Sequence, residues 1–288
     1  MAGPVIIEAA INGVTSKKHN PNTPKEPAEI ADDALRCFAA GAAVVHNHID
    51  AFGLDGNSAA ERYLEGWRPV LEERPDALFY PTTNAGPDVV ASYAHIGPLA
   101  ESGLMRLSLC DPGSVNLGGL GPDGLPASGI VYANSFDDVA HQFGLCDRYG
   151  LGPSIAIYEP GFARAGAALA RAAGVKAPIY RLMFCRGLAV GFPPRAYALG
   201  AYHALLEEEA PGAPWMIAAV NADLRPLFAE TIARCGHIRV GLEDAPLGTR
   251  ATNLALVEEA VRMVRENGAE PASPAEMRLA LAASASRA

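Results

Sequence analysis

The chain has 288 residues, half of them apolar and only 7% aromatic, with a formal net charge of −9. The apolar content is ample for a sizeable core, and no basic cluster exists to neutralise phosphates, which argues against a nucleic-acid surface. There is neither a charged-plus-apolar leader pattern nor an uninterrupted apolar run of about 18 residues, so no membrane span is expected and the cytoplasm is the default location.

Strands alternate with helices almost from end to end. Pro4 to Ala10 reads as a first strand, and the polar stretch from Asn12 to Pro24 as a loop. A proline and acids at Glu26 to Ile30 open a helix that runs to Ala40, with Gly41 as its C-terminal cap. Ala42 to Val45 is a short buried strand leading into His46-Asn47-His48. A helix over Ala59 to Glu73 and a strand over Ala77 to Thr83 follow, then a helix over Asp88 to Glu101 and a strand over Leu104 to Leu109. The Gly/Pro-rich loop from Asp111 to Gly129 is long enough to be functional. After it come an added short strand at Ile130 to Tyr132 and a helix at Phe136 to Tyr149. The remaining elements are strand Ser154–Tyr158, helix Phe162–Ala173, strand Ile179–Phe184, helix Ala196–Glu209, strand Trp215–Val220, helix Leu224–Cys235, strand His237–Leu242 and helix Thr249–Asn267. The Ala/Ser-rich tail over 282–288 is expected to fray.

Eight strand–helix pairs without a composition break predict a single-domain α/β fold, the (β/α)8 TIM barrel. A doubly wound sheet is the runner-up, but no GxGxxG follows the first strand. Chemistry in such barrels gathers at the C-terminal strand ends. Five cysteines (Cys37, Cys110, Cys146, Cys185 and Cys235) show no CxxC spacing and read as small buried hydrophobes.

His46 and His48, two apart on a strand, point to one side and make a half-site for a divalent transition metal; the bland alternative is a hydrogen-bonded histidine pair. The eighth strand carries Arg239, Glu243 and Asp244. In a barrel Glu243 comes within reach of the two histidines as a third ligand, and Asp244 stands where a proton-transferring base is useful. As plain loop acids the two would cap the next helix. Arg239 in an apolar strand needs a charged partner, either these acids or a substrate carboxylate. Thr82, Thr83 and Asn84 offer hydroxyls and N–H groups at the end of strand three, or simply cap the following helix.

The runs Glu8-Ala-Ala-Ile-Asn-Gly13, His19-Asn20-Pro21, Pro27 to Ala31, Gly41 to His48, Pro81-Thr82-Thr83 and His237 to Asp244 together resemble the β-keto acid cleavage enzymes, the group that includes 3-keto-5-aminohexanoate cleavage enzyme. The resemblance runs from about Val5 to the last helix. It implies a zinc-dependent (β/α)8 barrel, a homo-oligomer (a tetramer is expected), turning a β-keto acid and acetyl-CoA into acetoacetate and a new acyl-CoA. It further implies that His46, His48 and Glu243 are the metal ligands, that Arg239 and Asp244 are catalytic, and that Thr82, Asn84 and Ser108 bind the substrate carboxylate. Two departures stand out. Anions suited to an ammonium group are replaced by Asn12-Gly13-Val14-Thr15 after strand one and by Ala156 in strand five, so a substrate without an amino group is expected unless Asp50 or Glu159 compensates. Asp50 also replaces an arginine that many relatives carry after the second histidine. A metal-dependent aldolase or hydrolase without CoA is the alternative enzyme. A catalytically silent ligand-binding barrel is the alternative outside catalysis, and Asp244 beside an open metal position argues against it.

Overall fold

The computed structural model describes residues 3–127 and 129–284. Eight parallel strands, β1 (Ile7–Ala10), β2 (Val44–Asn47), β3 (Phe79–Pro81), β4 (Leu107–Cys110), β5 (Gly152–Ile157), β6 (Ile179–Cys185), β7 (Trp215–Val220) and β8 (His237–Val240), form one sheet in the order β3-β2-β1-β8-β7-β6-β5-β4. Its two end strands, β3 and β4, lie side by side, so the sheet curls into a nearly closed barrel. The helices between the strands are α1 (Pro27–Ala40), α2 (Gly56–Glu73), α3 (Val89–Ser92), α4 (Ile96–Glu101), α5 (Phe136–Tyr149), α6 (Pro160–Ala172), α7 (Ala196–Glu209), α8 (Phe228–Ala233) and α9 (Asn253–Glu266), with α10 (Pro274–Ser284) at the end. This is the expected (β/α)8 barrel.

Alternation along each strand sorts the side chains. Ile7, Ala9, Val45, Phe79, Ile155, Leu182 and Ile217 face outward into the main core beneath the helices. Ile6, Val44, Leu78, Leu107, Ile179 and Met216 face inward, and Ala272 with Met277 of α10 seals this inner cluster. The polar residues of the same inward rows, among them Glu8, His46, Tyr80, Arg181 and Arg239, are therefore stacked inside the barrel and buried.

Local signals account for most boundaries. Glu26 and Glu29 form a capping box at the start of α1, and Gly41, at φ 119°, closes it in the left-handed region. The expected helix over Asp88–Glu101 is divided into α3 and α4. Between them His95 turns inward, donates Nε2–H to the Thr82 carbonyl at 2.8 Å and stacks against Tyr63. The long loop after β4 is partly ordered as a hairpin, Val115–Leu117 pairing antiparallel with Ile130–Tyr132. The eighth strand stops at Val240 rather than Leu242 because Gly241 has φ 141° and packs on Ala10, where an added Cβ would lie 2.0 Å from the carbonyl oxygen. Glu243 and Asp244 are thus delivered on a turn, not on the strand. Residues 282–284 of the tail expected to fray are helical in α10, and 285–288 lie outside the described residues.

Candidate active site

His46 projects inward from the end of β2, and His48 follows one residue past it. The rings meet edge to face with centroids 5.2 Å apart. His46 Nδ1 donates to the Tyr80 carbonyl at 3.2 Å, which leaves the Nε2 lone pair free to point at a ligand. Asn12 clamps the backbone of His48 from both sides: its Oδ1 accepts from His48 N at 2.8 Å, and its Nδ2 donates to His48 O at 2.9 Å and to Pro24 O at 3.0 Å. Across the mouth, Glu243 lies against Gly13, where any side chain would strike its Cγ. Asn253, fully buried at the start of α9, holds that turn by accepting from Leu242 N and donating to Ile11 O.

These elements bring the two imidazoles and the Glu243 carboxylate together. Glu243 Oε2 stands 3.4 Å from His46 Nε2 and 3.6 Å from His48 Nε2, and it has no hydrogen-bond donor among the described residues. In a tetrahedral shell with bonds of about 2.1 Å, ligand atoms stand roughly 3.4 Å apart, so the spacing fits one ion. Charge points the same way. Two buried guanidinium groups (Arg181, Arg239) face four carboxylates (Glu8, Asp111, Glu243, Asp244) inside the barrel, with Lys25 half-buried at the rim. Carboxylates thus outnumber the cationic side chains there, a surplus that favours a bound cation. Burial opposes ionisation of Glu243, yet Arg239 and the two imidazoles hold it well below the usual carboxylate range, and burial pushes His46 well below the usual imidazole range. Both shifts favour the deprotonated forms that a metal needs.

Arg239 is the hub of the inner polar layer. Its Nη2 reaches Glu243 Oε1 and Asp244 Oδ1, both at 2.8 Å, its Nε lies 3.0 Å from the same Asp244 oxygen, and its Nη1 donates to Glu8 Oε1 at 3.1 Å. Glu8 also accepts from the Tyr80 hydroxyl. Asp244 Oδ2 takes a further hydrogen bond from Ala219 N at 2.8 Å. Burial nevertheless raises the Asp244 carboxyl above its ordinary range, with Arg239 pulling against it.

The structure places the other residues singled out from sequence as follows. Thr82 is buried two residues beyond Tyr80 and so on the inward side. The Thr83 hydroxyl is turned to the carbonyls of Asn84 and Ser92, and Asn84 ties down the loop after His48 by accepting from Gly53 N and donating to Leu54 O. Ser108 is not brought to this group. Cys110, two residues on in the same strand, lies with its sulfur 3.7 Å from that of Cys146 on α5, so this row of β4 faces the helices and Leu107 and Leu109 face in. Asp50 is held by Arg62 of α2, which also pairs with Glu26, and Glu159 accepts from Gly191 N, so both anions are already engaged. Ala156 is buried in an inward cluster with Met183 and Ala218. Glu8, Asn12, Tyr80, Asp111 and Arg181 complete the inner layer. Arg181 carries the same signal that singled out Arg239, a guanidinium inside an apolar strand.

The family model for beta-keto acid cleavage enzymes matches residues 4–282. The chain belongs to the β-keto acid cleavage enzyme family. Within it, the chain is 26% identical over 281 residues to the 3-keto-5-aminohexanoate cleavage enzyme of Fusobacterium nucleatum, covering 95% of this chain and 96% of that protein. It is 25% identical over 286 residues to the 3-oxoadipate:acetyl-CoA acetyltransferase of Cupriavidus necator, covering 98% and 95%. The fold matches the solved apo structure of ObcA with a TM-score of 0.70 at 17% identity, over 91% of this chain and 66% of that one. Among the described residues of this β-keto acid cleavage enzyme family member, no helix is long and apolar enough to cross a membrane.

The clamp on His48 makes a direct prediction. Asn12→Ala leaves His48 N and Pro24 O without their partner and His48 O with only the longer hydrogen bond from Asn47 Nδ2 at 3.3 Å, so it is expected to lower stability by about 2–4 kcal/mol and to weaken metal binding about tenfold or more. Urea unfolding together with metal retention against a competing chelator checks both effects. Unchanged retention would show that Asn12 does not position the histidine.

Proposed function

We propose that this protein is a zinc-dependent acyltransferase that converts a β-keto acid and acetyl-CoA into acetoacetate and a new acyl-CoA. The observation that carries this reading is Glu243 Oε2, a buried acceptor without a donor among the described residues, spaced from two imidazole nitrogens as ligands of one ion are. Three protein ligands with an open fourth position are the arrangement of a catalytic rather than a structural zinc. Family membership and the name of the Cupriavidus necator relative, which includes acetyl-CoA, support acetyl-CoA as the co-substrate.

When bound, zinc would act as a Lewis acid that polarises the ketone and carboxylate of the acid. The chain's own residues do the rest. Asp244, its carboxyl raised by burial against the pull of Arg239, takes a proton from the carbon between the two carbonyls. Arg239 orients that carboxylate through paired hydrogen bonds and supplies fixed positive charge beside the developing enolate. The carbanion attacks the thioester carbonyl and expels the CoA thiolate. Attack of that thiolate on the original keto carbon breaks the carbon–carbon bond, and acetoacetate leaves with the electron pair and a proton. Thr82, on the inward side beside Tyr80, is the residue of the strand-three segment best placed for the substrate carboxylate. Asn84 and Thr83 shape the loop, and Ser108 supports β4 from behind. A homo-oligomer belongs to the same reading, supported by exposed apolar Leu120, Leu125, Ile130, Val131 and Phe136 in and beside the hairpin.

The assay is a panel of β-keto acids with and without acetyl-CoA, read as acetoacetate formed. Turnover should require acetyl-CoA. Acids with neutral side chains should exceed amino-bearing ones in kcat/KM, because Ala156 offers no anion and Asp50 and Glu159 are engaged elsewhere. Consumption of the acid without CoA would instead favour an aldolase or hydrolase.

A further inference from the structure

A second buried polar group lies inside the barrel, away from the Glu243 carboxylate. Arg181 points inward from β6, level with Ala156 on β5 and Met216 on β7. It is 3% exposed, and so is Asp111 at the end of β4. The two are close but not joined: Arg181 Nη2 is 3.9 Å from Asp111 Oδ1, beyond hydrogen-bonding distance. The guanidinium makes one long hydrogen bond, from Nη2 to Ser154 O at 3.4 Å, and its Nε has no partner among the described residues. Asp111 accepts from the Tyr132 hydroxyl on Oδ2, its backbone N donates to Gln142, and its Oδ1 has no partner among the described residues. The Ser154 and Tyr93 hydroxyls are likewise buried without partners among the described residues.

A buried guanidinium and carboxylate normally close on each other, since an unsatisfied charge in such surroundings is costly. Here they stand apart with a donor, Arg181 Nε, and an acceptor, Asp111 Oδ1, both unused. A ligand oxygen seated beside that gap would accept from the one and donate to the other. The place is right for a substrate's far end. The Arg181 guanidinium is 6.0 Å from the Tyr80 ring centroid, and that ring packs 4.4 Å from the ring of His46. Ala156, Met183 and Ala218 add a small apolar inward wall next to it, suited to intervening methylenes.

We propose that Asp111 and Arg181 are specificity-determining residues that select a β-keto acid whose far end is neutral and offers both a donor and an acceptor, a hydroxyl or a carboxamide. This rests on the reading of the chain as a β-keto acid cleavage enzyme. A terminal carboxylate would meet Asp111, a terminal ammonium would meet Arg181, and a methyl group would leave both unpaired. Sites built to hydrogen-bond a substrate group reject analogues lacking it strongly.

The test compares kcat/KM with acetyl-CoA for β-keto acids of matched length ending in hydroxyl, carboxamide, methyl, carboxylate or ammonium. In the unmodified protein the hydroxyl or carboxamide acid should lead the methyl acid by about tenfold or more. Asp111→Asn should move the ranking toward the carboxylate acid, and Arg181→Met toward the ammonium acid. A merely structural pair would lower all five together. Arg181→Gln, which keeps a donor, serves if the Met variant does not fold. A methyl or charged acid leading in the unmodified protein, or variants that lose activity without reranking, would overturn the proposal while leaving the enzyme reading intact. If no acid is turned over with acetyl-CoA, both fall.

Discussion

Glu243→Gln protein is expected to purify without metal and to turn over a β-keto acid with acetyl-CoA at least about a thousandfold more slowly. The substitution keeps the shape of the side chain, so the contact with Gly13 and the turn after β8 survive. It removes the negative charge that faces both imidazoles and Arg239, leaving His46 and His48 as a two-ligand half-site. Loss of Lewis-acid polarisation is worth several kcal/mol, and each 1.36 kcal/mol or so is tenfold in rate. His46→Ala should behave alike, and added zinc should rescue neither at micromolar concentration. Elemental analysis of the purified variants beside steady-state rates decides the matter. Full metal content in either variant would mean that the ligand set is wrong.

Asp244→Asn should separate from that pair. Asp244 touches Arg239 and Ala219 N, and it is not among the three groups whose ligand atoms converge. Metal content is therefore expected to stay near that of the unmodified protein while kcat falls by about 10²–10⁴, the usual range for loss of a positioned base. Arg239 keeps Glu8 and Glu243 as partners, so the inner layer should hold its geometry. A sharper readout than rate is exchange of the substrate's α-proton in deuterated buffer without acetyl-CoA. It should be present in the unmodified protein and absent in the variant. Continued exchange would assign the proton transfer to another group.

Much of this centre was legible in the sequence because it is written in local code. Strand alternation puts His46 and His48 on one side, and an arginine in an apolar strand followed by paired acids marks the far wall. The barrel itself follows from the alternation of elements, and the family model confirms the resemblance carried by those same segments. What was not legible depends on register. Leu104 to Leu109 reads as a strand from its apolar content, but only pairing of Leu109 with Ser154 and the Cys110–Cys146 contact show that Ser108 faces the helices. Asn84 has the composition of a ligand-binding residue, yet both ends of its amide are occupied by the loop after His48, a partnership 30 residues away. Asp111, just past β4, and Arg181 on β6 are 70 positions apart in sequence and come near each other only because the barrel folds β4 beside β5 and β5 beside β6.

The pairing of β1 with β8 has a consequence for how the chain reaches this state. Glu8 and Arg239 face each other across that seam although 231 residues separate them, and the metal-facing histidines and Glu243 lie on the same two sides of it. Contacts of such sequence separation are slow to form, because the intervening chain must be ordered before they reward its entropy loss. The cluster of His46, His48 and Glu243 is therefore expected to assemble among the last things during refolding, and an ion bound there would act as a latch on a barrel already closed. Once there, it would draw the equilibrium toward the closed form by mass action, about 2.7 kcal/mol at a hundredfold excess over its dissociation constant. On the proposed reading, metal supply would therefore set the population of the folded barrel as well as its chemistry.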